Sequence, residues 1–198
     1  SGGGSSGGGG GGNKVTGSTV APSSGGNVLV GKSTHYMSYA PCCKNNPNYD
    51  PKASTKECTH YSACKYPGIF AGTSEKMPYE WVKKTNIVAF FDKANPKQAD
   101  FKRLYAKKRI KVCKGKICFV AFIIDTCGDH DCGGCCSRNS HAKTGYLVDL
   151  EYNTARRYFG SDSNSWDGEV TFEIMDKSGC DGGAKKDACG VCGGANNC

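Results

Sequence analysis

No run of apolar residues in this 198-residue chain approaches the roughly 20 that a membrane-spanning helix needs. The longest, Ile117 to Ile124, is interrupted by Cys118 and has the length of a strand. An export signal is also missing. The chain opens at Ser1 on glycines and is read as processed or trimmed, its signal lying outside the sequence. Asn-x-Ser/Thr sites are absent, so glycosylation says nothing about the compartment. Acidic excess is absent too: 26 Lys and Arg stand against 18 Asp and Glu, a formal charge of +8.

Cysteine is what the chain has in quantity. There are 14, an even number, between Cys42 and Cys198. That density suits an oxidising compartment and predicts a secreted protein whose cysteines are disulfides. The set is Cys42, Cys43, Cys58, Cys64, Cys113, Cys118, Cys127, Cys132, Cys135, Cys136, Cys180, Cys189, Cys192 and Cys198, and spacing leaves their connectivity open. A cysteine protease needs a spare thiol, which an even count does not provide. A zinc site from Cys127, His130, Cys132, Cys135, Cys136 and His141 is the competing reading, but tetrahedral sites usually come as two separated ligand pairs. No metal and no cofactor are expected.

Three segments follow. Residues 1–26 are almost all Gly and Ser, a linker or an assembly segment with nothing to bury. Residues 27–177 form the folded domain. Strands are predicted over Asn27–Gly31, Ser33–Tyr39, Asn86–Phe91, Lys108–Cys113, Ile117–Ile124 and Glu169–Ile174, with a hairpin at Lys114-Gly115-Lys116 and another strand entering Asp149. Helices are predicted over Met77–Lys84 and Glu151–Phe159, the second ended by Gly160. Residues 178–198 are a cysteine-rich tail without a core, held by two local disulfides. Short strands and few helices point to a mainly β barrel or sandwich.

Lys83-Lys84, Lys107-Lys108-Arg109-Lys111 and Lys114-Lys116 are either a solvated face or a surface for acidic polymers. The oxidising compartment favours acidic polysaccharide over nucleic acid. Asp125 and Asp149 each stand where an apolar strand leaves the core, the usual station of a site residue. Their structural reading is that Asp149 caps the next helix and Asp125 anchors a loop through backbone N–H groups. Tyr36, Tyr39, Tyr146, Tyr152, Tyr158 and Trp166 are the candidates for stacking on sugar, Tyr36 first because Thr34 and Ser38 share its face.

Thr34-x-Tyr36, Cys42-Cys43-Lys44, Asp125-Thr-Cys127 and Val148-Asp149-Leu150, in that order, resemble the expansin-like superfamily of six-stranded double-psi β-barrels. This superfamily includes expansins, barwin-type proteins and family forty-five endoglucanases. The tail resembles the Asp-x-Cys-Gly-Val-Cys-Gly-Gly repeats of protist cell-surface proteins. The resemblance implies a polysaccharide site at Thr34, Tyr36, Asp125 and Asp149, with Asp149 at the general-acid position of the endoglucanases. The general base of those enzymes has no counterpart, since Met37-Ser-Tyr-Ala-Pro41 carries no carboxylate there. Inverting hydrolysis needs two carboxyls. Asp50, Asp129 and Asp131 are the candidates for a relocated base. The expected function is therefore a secreted, non-hydrolytic polysaccharide-binding module. The alternatives are a structural subunit that assembles through its glycines, and an endoglucanase with a relocated base.

Overall fold

The structure is a computed structural model that describes residues 27–61, 63–73 and 75–175. The glycine-rich lead and the tail bearing Cys180, Cys189, Cys192 and Cys198 lie outside the described residues, and so does the local pairing expected of those four cysteines.

Six strands close into a barrel: β1 (Leu29–Tyr36), β2 (Ile87–Asp92), β3 (Arg109–Lys114), β4 (Ile117–Asp125), β5 (Tyr146–Glu151) and β6 (Gly168–Met175), in the spatial order β1-β5-β2-β4-β3-β6. β1 runs parallel to β5 and β2 parallel to β4, while every other pairing is antiparallel. This is a double-psi β-barrel. Closure leaves no open sheet edge, which for six short strands removes the main route to edge-to-edge association.

The two runs expected before and after Gly31 are one strand. Gly31 does not break it, because strand pairing continues through Gly31↔Val170. Glycine is needed here for close approach: a Cβ would stand 3.0 Å from the Phe172 ring. The β3–β4 hairpin turns at Gly115 and Lys116, as expected, and Cys113 is bonded to its cross-strand neighbour Cys118.

Alternation decides what each strand buries. Val88, Phe90, Ile110, Val112, Phe119, Ala121, Ile123, Val148, Leu150, Val170 and Phe172 meet in one core cluster. The outward faces of β2 and β5 are covered as well, which is why all six residues of β2 are buried. One cover is residues 37–85, whose Tyr39, Phe70 and Val82 pack on Ile87 and Ile124. The other is the cysteine loop after β4, whose Cys136 packs on Phe91 and Leu147.

Among the described residues five short α-helices decorate the barrel: α1 (Lys56–His60), α2 (Tyr79–Lys84), α3 (Gln98–Leu104), α4 (Cys135–Asn139) and α5 (Tyr152–Phe159). Pro78 stands at the N-cap of α2 rather than inside it. α5 ends at Gly160, as expected. Its cap is Glu151, whose Oε2 accepts the Asn153 N–H at 2.7 Å. The capping role expected of Asp149 therefore falls two residues later.

Disulfides fasten the covers. Cys42–Cys58 and Cys43–Cys64 tie the first one, with sequence separations of 16 and 21 residues. Loops of that size contribute roughly 3 kcal/mol each in the chain-entropy picture. Cys127–Cys136 and Cys132–Cys135 tie the second. Among the described residues no cysteine is free.

Candidate functional site

Along β5 the outward residues are Leu147, Asp149 and Glu151, and each meets a different environment. Leu147 lies under the cysteine loop. Glu151 is buried, its carboxylate held by the Ser38 hydroxyl at 2.9 Å and by the α5 cap. Asp149 falls between the two covers and opens onto a cavity of about 430 Å³.

The floor of that cavity is Thr34, Tyr36, Leu147 and Asp149. Thr34 and Asp149 are register partners on the parallel strands β1 and β5. The Thr34 hydroxyl donates to Asp149 Oδ1 at 2.7 Å. One wall is the segment around α1, with Lys56, Glu57, Tyr61, Lys65 and Tyr66. The opposite wall is the cysteine loop, with Cys127, Asp131, Cys132 and Cys135. His35 and Asp167, 3.0 Å apart, close one end.

Three of the four expected site residues, Thr34, Tyr36 and Asp149, thus meet in one cavity. Asp125 does not line it. Strand register places it nearby, since Ala89 of β2 pairs with Asp149 on one side and Asp125 on the other. Two strand spacings separate the backbones, roughly 10 Å. Asp125 Oδ1 accepts the Ala71 and Thr126 N–H groups, both at 2.9 Å. That is the loop-anchoring role, and it ties the first cover to the end of β4.

Burial raises the acids of this region. Asp149 is pushed up to about 7 by burial, with the Glu57 and Asp125 charges adding to the shift and the Thr34 hydroxyl and His35 opposing it. Burial also lifts Asp125 to about 6, against its two backbone donors, and Glu151 rises for the same reason. Tyr36 is held well above the ordinary phenol range by burial and then by Asp125, Glu151 and Asp149. Its hydroxyl is buried and meets no hydrogen-bond partner. An acid raised this far keeps a share of its protons at neutral pH, so Asp149 can donate a hydrogen bond or a proton.

The relocated-base candidates separate clearly. Asp50 accepts the Lys52 N–H and does not line the cavity. Asp129 spends both oxygens on Ser137, which hold it below the ordinary carboxylate range despite partial burial. Asp131 lines the cavity. So does Glu57, which sequence reasoning missed.

The stacking candidates also change. Trp166 and Tyr39 are buried, and Tyr146, Tyr152 and Tyr158 pack against the core. The exposed aromatics at the cavity are Tyr61, 36 % exposed, and Tyr66, 55 % exposed. The only sequence signal for them was their position beside Cys58 and Cys64.

The sulfurs of Cys127, Cys132, Cys135 and Cys136 all lie within 4.8 Å of one another. They are bonded as two disulfides and offer no thiolate to zinc. His130 sits beside Asp131, and His141 faces Thr144 and Glu169. The basic hairpin is partly spent: Lys114 Nζ donates to the Ser165 and Asp167 carbonyls, both at 2.5 Å.

No family model matches the chain, and no curated protein sequence does. Among solved structures it is similar to the Streptomyces papain inhibitor, at 12% identity and a TM-score of 0.42, over 76% of this chain and 96% of that one. It is similar to the β-1,4-endoglucanase Cel45A of the blue mussel Mytilus edulis, at 15% identity and a TM-score of 0.37, over 77% and 81%. A third is the GH45 endoglucanase EG27II in complex with cellobiose, at 13% identity and a TM-score of 0.32, over 80% and 85%. These likenesses are of fold and assign no role to any residue.

Proposed function

We propose that this chain is a secreted module that binds polysaccharide of a wall or matrix in the groove above Asp149 and does not cleave it. The observation that carries the reading is the composition of the groove. Two exposed tyrosines, Tyr61 and Tyr66, stand on one wall above a polar floor of Thr34 and Asp149. Sugar rings offer apolar faces to aromatics and hydroxyls to carboxyls, and this groove presents both partners. Equilibrium binding to a panel of neutral and anionic glycans tests the reading. Y61A/Y66A is expected to weaken binding at least tenfold while the fold persists by circular dichroism. Unchanged binding in that variant refutes stacking in this groove. The glycine-rich lead is proposed as the segment that joins the module to a larger assembly. Deleting residues 1–26 is expected to abolish assembly in sedimentation and to leave glycan binding intact.

One observation favours a second reading, glycoside hydrolysis. Asp149 is raised to about 7 and shares the groove with Glu57 and Asp131, an acid with two base candidates. Under the binding reading, soluble β-glucans release no reducing ends. Release that is lost in D149N, and in either E57Q or D131N, replaces binding by hydrolysis.

A further inference from the structure

The groove wall formed by the cysteine loop has chemistry that glycan binding does not use. Cys132 and Cys135 are bonded across only two residues, Gly133 and Gly134, a sequence separation of 3. Both are half-buried and line the groove. Cys136, fully buried, is bonded to Cys127, which lines the groove as well. The two disulfides touch: Cys136 Sγ is 3.9 Å from Cys132 Sγ and 3.9 Å from Cys135 Sγ. The Cys135 backbone N–H points at Cys132 Sγ from 3.2 Å. The Gly128 carbonyl stands 3.6 Å from the same sulfur.

These facts single out one order of events. A disulfide that closes so short a loop removes the least chain entropy, so it loses the least on opening. It also faces solvent. Of its two sulfurs, Cys132 is the one with an N–H donor to stabilise a leaving thiolate, at 3.2 Å, closer than the Gly128 carbonyl that opposes it at 3.6 Å. A thiolate there is already in contact with a second disulfide.

We propose that this cluster is a thiol–disulfide exchange site for low-molecular-weight thiols, in which attack on Cys135 is relayed through Cys132 and Cys136 to free a thiol at Cys127. An external thiolate attacks Cys135 Sγ. A mixed disulfide forms there, the Cys132–Cys135 bond breaks, and its electron pair leaves on Cys132. The Cys132 thiolate then attacks Cys136 Sγ, forming Cys132–Cys136, and the pair of the broken Cys127–Cys136 bond leaves on Cys127. Cys127 takes up the proton that the incoming thiol gave up. Two disulfides exist before and two after, so there is no net oxidation or reduction. The products are an adduct on Cys135 and a thiol in the groove, two residues after Asp125.

The test uses the full chain, not denatured, with reduced glutathione as the probe. Samples taken over time are acid-quenched, alkylated with N-ethylmaleimide and mapped by peptide mass spectrometry. Glutathione is expected on Cys135, maleimide on Cys127, and a new Cys132–Cys136 link. They should appear at least tenfold faster than any label on Cys42, Cys43, Cys58, Cys64, Cys113 or Cys118. Glutathione appearing first on one of those six cysteines overturns the site. Maleimide confined to Cys132, with Cys127–Cys136 intact, overturns the relay. In C127S/C136S the label should stay on Cys132, and glutathione on Cys132 instead would overturn the order of attack. If that variant does not fold, the map of the unaltered protein still decides. No readout involves a glycan, so the result is independent of the proposed binding function.

Discussion

At the scale of single residues, Asp149 and Asp125 are, with Glu151, carboxyls whose ionisation the fold opposes. The two aspartates have folded-state values above the ordinary carboxylate range, about 7 and about 6. Between pH 4 and 7 the folded protein therefore holds more protons than the unfolded chain, and stability falls as pH rises through that window. The loss amounts to several kcal/mol at most and levels off only above about pH 8, where Asp149 is fully ionised. Asp129, held low by Ser137, acts in the opposite sense below about pH 4. Denaturant midpoints across pH 4 to 8, disulfides intact, should show this decline. D149N should abolish the decline above about pH 6 and lessen the decline between pH 4 and 6, where Asp125 still contributes. A flat profile in the unaltered protein would mean that Asp149 is better solvated than its place between the covers implies.

The elements differ in how far sequence alone identified them. β2, β4 and β6 were legible because β-branched and aromatic residues run through each, and the β3–β4 hairpin because a glycine separates two such runs. Strand-end position made Asp125 and Asp149 candidates and period-two spacing did so for Tyr36, but it was the resemblance that joined them with Thr34 in one site, and Asp125 does not line the cavity. α1, α3 and α4 were not legible. At five to seven residues they carry too few turns for a periodic apolar face. Glu57, Tyr61 and Tyr66 were missed for a related reason. They lie in and just after α1, in a polar segment, and what carries that segment over Asp149 is the pairing of Cys42 with Cys58 and of Cys43 with Cys64. Spacing does not disclose such pairings. The cover also depends on Gly68, which has φ +71° and leaves room for the Tyr39 hydroxyl to donate to the Met77 carbonyl at 2.6 Å. A Cβ there would stand 2.4 Å from that hydroxyl and 2.6 Å from that carbonyl. G68A is expected to cost about 2 kcal/mol or more. It should weaken glycan binding before it lowers the melting point of the barrel. Wild-type stability and binding in G68A would show that the cover adapts.

Over the whole molecule, the basic β3–β4 hairpin and the groove floor are set apart, while Lys56 and Lys65 stand in the groove wall itself. β3 is flanked by β4 and β6, whereas the groove floor belongs to β1 and β5, on the other side of the closed order. Lys107, Lys111 and Lys116 therefore offer an anionic polymer a second place to rest. Retention on anionic glycans should fall steeply between 50 mM and 500 mM salt, because exposed charges interact over only about 8 Å at physiological ionic strength. Retention on neutral glycans should hardly change. K107A/K111A/K116A should remove the salt-sensitive retention that Lys56 and Lys65 of the groove wall do not supply. Equal salt sensitivity on both kinds of glycan would place the charged contacts in the groove itself. The strand order also has a consequence in time. β1 is synthesised first, yet its ladder partners are β5 and β6, with Lys32 opposite Leu147 and Leu29 opposite Phe172. A growing chain adds roughly 5–20 residues per second. β1 must therefore wait on the order of 10 s for its first neighbour, while the β3–β4 hairpin can zip as soon as it is made. Thr34 and Asp149 are separated by 115 positions and meet only when that wait ends. Every unfinished chain is thus born without a groove, and the site comes into being together with the closure of the barrel.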